Sequence, residues 1–214
     1  ISFRLEDMNG HVVTRESRGR ISFKPHEFPL VGLTKGERVY LDFGLGEDRL
    51  GSAKLSFMQQ GIRLAITGKV GSRYRVKLAD AQEAWIPEDQ IDLQPQGSHL
   101  PFSLTGNCSV TGDTKYDYVS IALDEKLPYS SFTELDPTRI SVDVYGAVSN
   151  SNWITQQLTS KEIKNTYYAQ VSKQQFRITL ELNNSQVWGY QVGYKGKALV
   201  IKVRRQPEHL RLKD

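Results

Sequence analysis

The sequence predicts an all-β protein: a small barrel, then a pseudo-symmetric β-sandwich, with a strand-hairpin piece at the N-terminus. Three observations predict it. Short segments alternate apolar and polar residues at period two, or run short and β-branched. Glycine-rich or polar turns stand between them, as at Asn9-Gly10, Gly44-Leu45-Gly46 and Gly68-Lys69-Val70-Gly71. Helix start and stop signals are scarce, and closely spaced short strands are the pattern of small barrels and sandwiches.

Taken in order, residues 1–30 read as two strands around a hairpin at Met8-Asn9-Gly10-His11, because Asn-Gly favours the positive-φ turn that hairpins need. Two strands alone are not stable, so this piece must pack on a neighbour. Residues 31–94 form the barrel, with strands at Arg38–Asp42, Arg63–Ile66, Tyr74–Leu78 and Ala84–Ile86. Residues 95–101 are polar, with Pro95, Gly97 and Pro101, and read as a linker. Residues 102–203 form the sandwich, and 204–214 a basic tail.

The sandwich carries an internal echo. Val119-Ser120-Ile121-Ala122-Leu123 is followed by Tyr129 and Phe132 and then Ile140-Ser141-Val142-Asp143-Val144. Phe176-Arg177-Ile178-Thr179-Leu180 is followed by Trp188 and Tyr190 and then Leu199-Val200-Ile201-Lys202-Val203. Two similar halves suggest a sandwich in which each half supplies one layer. A helix is expected over Thr159–Tyr167, where Ser160 caps and Lys161-Glu162 follow.

Composition bounds the function. At 214 residues, 38% hydrophobic and 24% charged, the chain can bury a packed core. The net charge of +4 is small. Its excess sits in residues 202–214, with five basic against two acidic groups, rather than on a folded face, so no nucleic-acid partner is expected. No apolar run is long enough to span a bilayer. The chain opens at Ile1, already inside an alternating pattern, and reads as an excised piece of something longer. The single cysteine, Cys108, excludes an internal disulfide framework and a multi-cysteine zinc site.

Catalytic chemistry is not expected. The four histidines, His11, His26, His99 and His209, share no ligand spacing. Cys108 has no histidine base near it in sequence, and Gly44-Leu45-Gly46 lacks the Lys-Ser/Thr of a phosphate loop. Binding chemistry remains. The barrel holds Tyr40, Phe43, Phe57, Tyr74 and Trp85; some must fill its core, while others line a groove for a peptide or sugar, with Asp48 and Arg49 of the Gly44–Gly51 loop for polar recognition. The sandwich adds Trp153, Tyr167, Tyr168, Trp188, Tyr190 and Tyr194.

Two families are resembled. Residues 32–94 resemble a bacterial SH3-like domain through the Val39–Leu41 strand, the Gly44–Arg49 loop, the strand Tyr74-Arg75-Val76-Lys77-Leu78 and the Ala84-Trp85-Ile86-Pro87 strand after it. Such domains in cell-wall hydrolases are commonly wall-targeting modules. Residues 102–203 resemble the AMIN domain of periplasmic N-acetylmuramoyl-L-alanine amidases. The resemblance rests on Leu135-Asp136-Pro137 with Val142-Asp143-Val144, and on Gln175-Phe176-Arg177-Ile178-Thr179-Leu180. With Trp188-Gly189-Tyr190 and the closing Val203-Arg204-Arg205-Gln206-Pro207, the combination is similar to the amidases of Bacteroidetes and related Gram-negative bacteria. Residues 1–30 resemble the last strands of an immunoglobulin-like domain. The stretch Ser149–Tyr168 departs from the AMIN pattern as an insertion.

The resemblance implies a non-catalytic region of a cell-wall amidase, exported to the periplasm, that binds peptidoglycan or localises the enzyme on the wall. It implies no cofactor in this segment, the zinc belonging to a catalytic domain beyond Asp214, and no membrane span. The expected ligand-binding residues are Tyr40, Arg49, Tyr74 and Trp85 in the barrel, with Arg139, Arg177, Trp188 and Tyr190 in the sandwich: arginines pair with stem-peptide carboxylates while rings stack on glycan. The alternative is an interaction scaffold that docks a divisome or envelope protein without glycan affinity.

Overall fold

The computed structural model describes residues 2–6, 12–16, 27–45, 54–150 and 159–207, and among them it is all-β. The turn expected at Met8–His11 and the tail beyond Pro207 lie outside the described residues. Strands β1 (Ser2–Glu6) and β2 (Val12–Glu16) pair antiparallel as a separate two-stranded sheet.

The next strands are β3 (Leu30–Thr34), β4 (Val39–Asp42), β5 (Lys54–Met58), β6 (Arg63–Val70), β7 (Arg73–Ala79), β8 (Gln82–Pro87) and β9 (Ile91–Leu93). They form one seven-stranded antiparallel sheet in the order β5-β4-β8-β7-β6-β3-β9. Alternation places Leu64 and Ile66 of β6, Val76 and Leu78 of β7, and Ala84 and Ile86 of β8 inside. The buried Thr34 hydroxyl fastens the turn before β6, donating to Gln59 O (2.6 Å) and accepting from Ile62 N (2.8 Å).

The remaining strands are β10 (Ser103–Gly112), β11 (Tyr116–Leu123), β12 (Tyr129–Leu135), β13 (Thr138–Tyr145), β14 (Ala147–Val148), β15 (Ile163–Ser172), β16 (Gln175–Leu182), β17 (Tyr190–Lys195) and β18 (Ala198–Arg204). They build a five-stranded sheet, β14-β10-β11-β18-β17, and a four-stranded sheet, β12-β13-β16-β15. Val119, Ile121, Leu199, Ile201 and Val203 of the first are buried in one cluster with Ile140, Val142, Phe176, Ile178 and Leu180 of the second.

The echo marks a real two-fold relation, but each half does not supply one layer. The first half contributes β10–β11 to one sheet and β12–β13 to the other, and the second half contributes β17–β18 and β15–β16 respectively. The central ladders β11·β18 and β13·β16 therefore join the halves inside both sheets. Alternation in these strands reports one buried face apiece and does not name the neighbour.

The helix expected over Thr159–Tyr167 is not formed. Residues Ile163–Ser172 run as β15, paired with β16 from Ile163↔Leu182 to Ser172↔Gln175. Thr166, Tyr167 and Tyr168 favour extended backbone. The amides ahead of the strand satisfy themselves without a helix: Oδ2 of the buried Asp117 accepts from Lys161 N (2.9 Å), Glu162 N (2.7 Å) and Ile163 N (2.9 Å). Its Oδ1 accepts from Arg205 Nε at 2.7 Å, and Arg205 Nη2 also reaches Thr159 O at 2.7 Å. Glycine is required beside this knot, since a Cβ at Gly112 would lie 2.1 Å from Arg205 Nη2 and 2.6 Å from Asp117 Oδ1. Arg204 thus closes β18 and Arg205 is anchored, so the first two residues of the expected tail are part of the folded sandwich.

The two units meet over a polar seam. Arg63 Nε donates to Glu125 (2.7 Å), Arg63 N to Lys126 O (3.1 Å), and the Tyr145 hydroxyl to Gln82 Oε1 (2.8 Å). Gln59 Oε1 accepts from Tyr194 N on the edge strand β17. Residues 95–101 carry no strand, and Glu125 holds their end by accepting from Phe102 N at 2.9 Å and meeting His99 Nε2 at 3.1 Å.

Candidate functional site

In β13 and β16, alternation sends Ile140, Val142, Val144 and Ile178, Leu180 inward, and so turns Arg139, Ser141, Asp143 and Arg177, Thr179, Glu181 to the outer face of the four-stranded sheet. The register sets these residues in rows. One runs Ser130–Asp143–Arg177–Ala169; the next runs Phe132–Ser141–Thr179–Tyr167; the third begins Glu134–Arg139–Glu181.

The middle row is a shallow platform. Its centre is the hydroxyl pair Ser141–Thr179, 3.0 Å apart, with Ser141 buried (3% exposed) and Thr179 half-buried, and its two ends are the exposed rings of Phe132 (38%) and Tyr167 (47%). Charged rows bound it on either side. Arg177 grips Asp143 bidentately, Nε to Oδ1 at 2.6 Å and Nη2 to Oδ2 at 2.8 Å, with its guanidinium 4.9 Å from the Phe132 ring centre. On the other side Glu181 accepts from Lys164 Nζ (2.6 Å) and from the Tyr167 hydroxyl (3.0 Å). Lys164 foremost, then Tyr167, holds the Glu181 carboxyl below the usual glutamate range. Rings flanking hydroxyls, with fixed charges on both sides, can stack on a sugar ring, share hydrogen bonds with its hydroxyls and meet a carboxylate.

Of the residues expected from sequence, Arg139 and Arg177 both lie on this face, one row apart on either side of the hydroxyls. Arg139 Nε is shielded from solvent and has no hydrogen-bond partner among the described residues. Trp188 and Tyr190 stand elsewhere, at the rim. Trp188 precedes β17 with its Nε1 buried and unpartnered among the described residues, and the Tyr190 hydroxyl meets Ser131 Oγ at 3.0 Å.

The first unit divides its set. Tyr74 is buried, 8% exposed, with Lys69 Nζ 5.3 Å from its ring centre. Tyr40 is exposed beside Phe57, at 6.4 Å between ring centres, and Trp85 is half-buried opposite Asp42 and Arg75. Asp42, itself buried, accepts from Lys54 (2.7 Å) and Arg73 (2.5 Å). Alternation and register put Tyr40 and Trp85 on one face of that sheet and Tyr74 on the other. Arg49 lies outside the described residues. The seven expected residues that are described do not converge on one surface.

Sequence reading missed Phe132, Ser141, Tyr167 and Thr179 as a group. A signal existed for the inner two: they sit two positions from Arg139 and Arg177 on strands whose apolar residues occupy the other parity.

Residues 108–203 match the AMIN domain. The matched stretch runs from Cys108 in β10 to Val203 in β18, so the AMIN domain holds the whole platform. No curated protein matches the chain. Cys108, at the start of the AMIN domain, is half-buried, and burial pushes its thiol up to about 12. Among the described residues, no three His, Cys, Asp or Glu side chains are grouped to hold a metal ion, and no helix is long and apolar enough to cross a membrane.

Proposed function

We propose that this chain binds peptidoglycan through the outer face of the four-stranded sheet, as the wall-localising, non-catalytic region of a periplasmic N-acetylmuramoyl-L-alanine amidase. AMIN domains are known from peptidoglycan-binding regions of cell-wall amidases, which supports the ligand class. The observation that carries the reading is the Ser141–Thr179 hydroxyl pair set between the exposed rings of Phe132 and Tyr167. Glycan rings stack over Phe132 and Tyr167 while a sugar hydroxyl meets Thr179, whose own hydroxyl the buried Ser141 holds in place. Arg177 spends Nε and Nη2 on Asp143, which fixes its plane and leaves Nη1 for a stem-peptide carboxylate. Hydrolysis and its zinc belong, on this reading, to a separate catalytic domain, and the SH3-like unit serves as a second wall-facing module.

The test is co-sedimentation with purified sacculi at low and high salt. Replacing Phe132→Ala together with Tyr167→Ala should weaken binding about tenfold or more, since each ring–ring or ring–sugar contact contributes on the order of 1 kcal/mol beyond its area. Binding that resists salt in the parent and falls in the folded double variant supports the platform. Undiminished sedimentation of that variant removes the face from the site. A parent that ignores sacculi yet captures a defined envelope protein moves the reading to the docking scaffold.

A further inference from the structure

The two sheets of the sandwich are built alike, yet their outer faces differ in charge. On the four-stranded sheet two ion pairs stand on the outer face, Arg177 with Asp143 and Lys164 with Glu181. On the five-stranded sheet the outward positions of β11, β18 and β17 are Tyr116, Tyr118 and Ser120; Val200, Lys202 and Arg204; and Gln191, Gly193 and Lys195. Register aligns Tyr116↔Arg204, Tyr118↔Lys202↔Gln191 and Ser120↔Val200↔Gly193 across them. Among the described residues, no carboxylate pairs with Lys115, Lys195, Lys202 or Arg204 at salt-bridge distance. The nearby acid, Asp113, is already engaged: its Oδ1 accepts from Lys115 N (2.7 Å) and Tyr116 N (2.8 Å), its Oδ2 from the Tyr118 hydroxyl (2.7 Å).

The surface is also concave. A hollow of about 510 Å³ lies over Tyr118, Lys202, Gly193 and Lys195, and a second of about 430 Å³ over Lys115, Tyr116, Arg204 and Pro207. Their linings fall on neighbouring residues of the same two strands, Tyr116 and Arg204 in one and Tyr118, Val200 and Lys202 in the other, so the lined stretch of β18 from Val200 to Arg204 spans roughly 13 Å at ~3.3 Å per residue. Lys202 Nζ sits 3.9 Å from the Tyr116 ring centre, which holds the ammonium on the face instead of letting it sweep through solvent.

We propose that this face is a groove for an extended acidic protein segment, whose carboxylates meet Lys115, Lys202, Arg204 and Lys195 while its backbone lies over Tyr116 and Tyr118. Bilayer docking is the less apt match, since none of these outward positions is an exposed large apolar side chain available for insertion. The groove is independent of the glycan platform, which lies on the opposite sheet, so the two readings stand or fall separately.

The test uses the whole chain and hexaglutamate as the probe, read by fluorescence anisotropy of a labelled peptide. Lys202→Glu with Arg204→Glu should weaken binding about tenfold or more, because two charge-assisted contacts are lost. Lys77→Glu with Lys173→Glu changes net charge equally on exposed residues that line neither hollow and should leave binding within about twofold. Both variants are melted to confirm that they fold, and Lys202→Gln serves if the double reversal does not. Equal loss in the two double variants makes the effect one of net charge and overturns the groove. So does parent binding to phosphatidylglycerol vesicles without binding to hexaglutamate. Sedimentation of the Lys202→Glu/Arg204→Glu variant with sacculi reports on the platform alone.

Discussion

At the scale of the residue, Glu181 shows how a carboxylate orders a face. Its two oxygens hold Lys164 and the Tyr167 hydroxyl, and so fix one of the platform's two rings. Because the folded carboxyl is held below its ordinary range, the folded chain takes up this proton later than the unfolded chain on acidification. Its contribution is therefore present above the unfolded glutamate pKa of about 4.3 and is lost as pH falls through the lowered folded value. Urea midpoints measured from pH 7 down to pH 3 should show the gap between the parent and Glu181→Gln closing on the acid side. A gap that stays constant over that range would remove Glu181 from the pH dependence. Arg177 is different in kind, since its partner Asp143 is only 4% exposed and Arg177→Ala would leave that carboxylate buried without its cation. For probing the ligand, the two rings are cleaner sites than the arginine.

At the scale of the element, the loop before β15 depends on one side chain from another strand. Asp117 collects three successive amides and the Arg205 guanidinium, with its own carboxylate out of solvent. Asp117→Ala should cost about 3–5 kcal/mol, as removal of one partner from a buried pair does, and chemical denaturation measures it. A loss under about 1 kcal/mol would mean that the loop holds itself. This knot also explains why the segment was misread. Ser160 followed by Lys161-Glu162 looks like a helix start, because a cap and a run of free amides are what a helix N-terminus presents. Here the acceptor for those amides is 44 to 46 positions away in sequence, at Asp117, and local pattern carries no trace of it. Strands such as Val119–Leu123 and Phe176–Leu180 were legible because alternation is local. Their partners were not, and neither was the platform, whose rings Phe132 and Tyr167 are brought into one row only through four strands in register.

At the scale of the whole molecule, the buried apolar residues of both units, Val31 apart, belong to one cluster, running from Val39 in β4 to Val203 in β18. Edge strands on the shared side are covered: β17 by Gln59, and β12 by packing against β5. Thermal unfolding of residues across both units should therefore appear as a single transition, with calorimetric and van't Hoff enthalpies in agreement. Two resolved transitions would show the seam to be a weak contact between independent bodies. The way the halves share their sheets has a historical consequence. Cut the chain at the connection between β14 and β15, and two pieces remain whose four long strands match one for one, each piece lending one hairpin to either layer, with the two-residue β14 as the one extra strand. That is the topology of an intertwined homodimer, so duplication and end-to-end fusion of a half-length chain would produce the eight long strands of this sandwich with none rewired, β14 being the one addition. Fusion would also have freed the two outer faces from having to be identical, which a symmetric dimer could never have allowed.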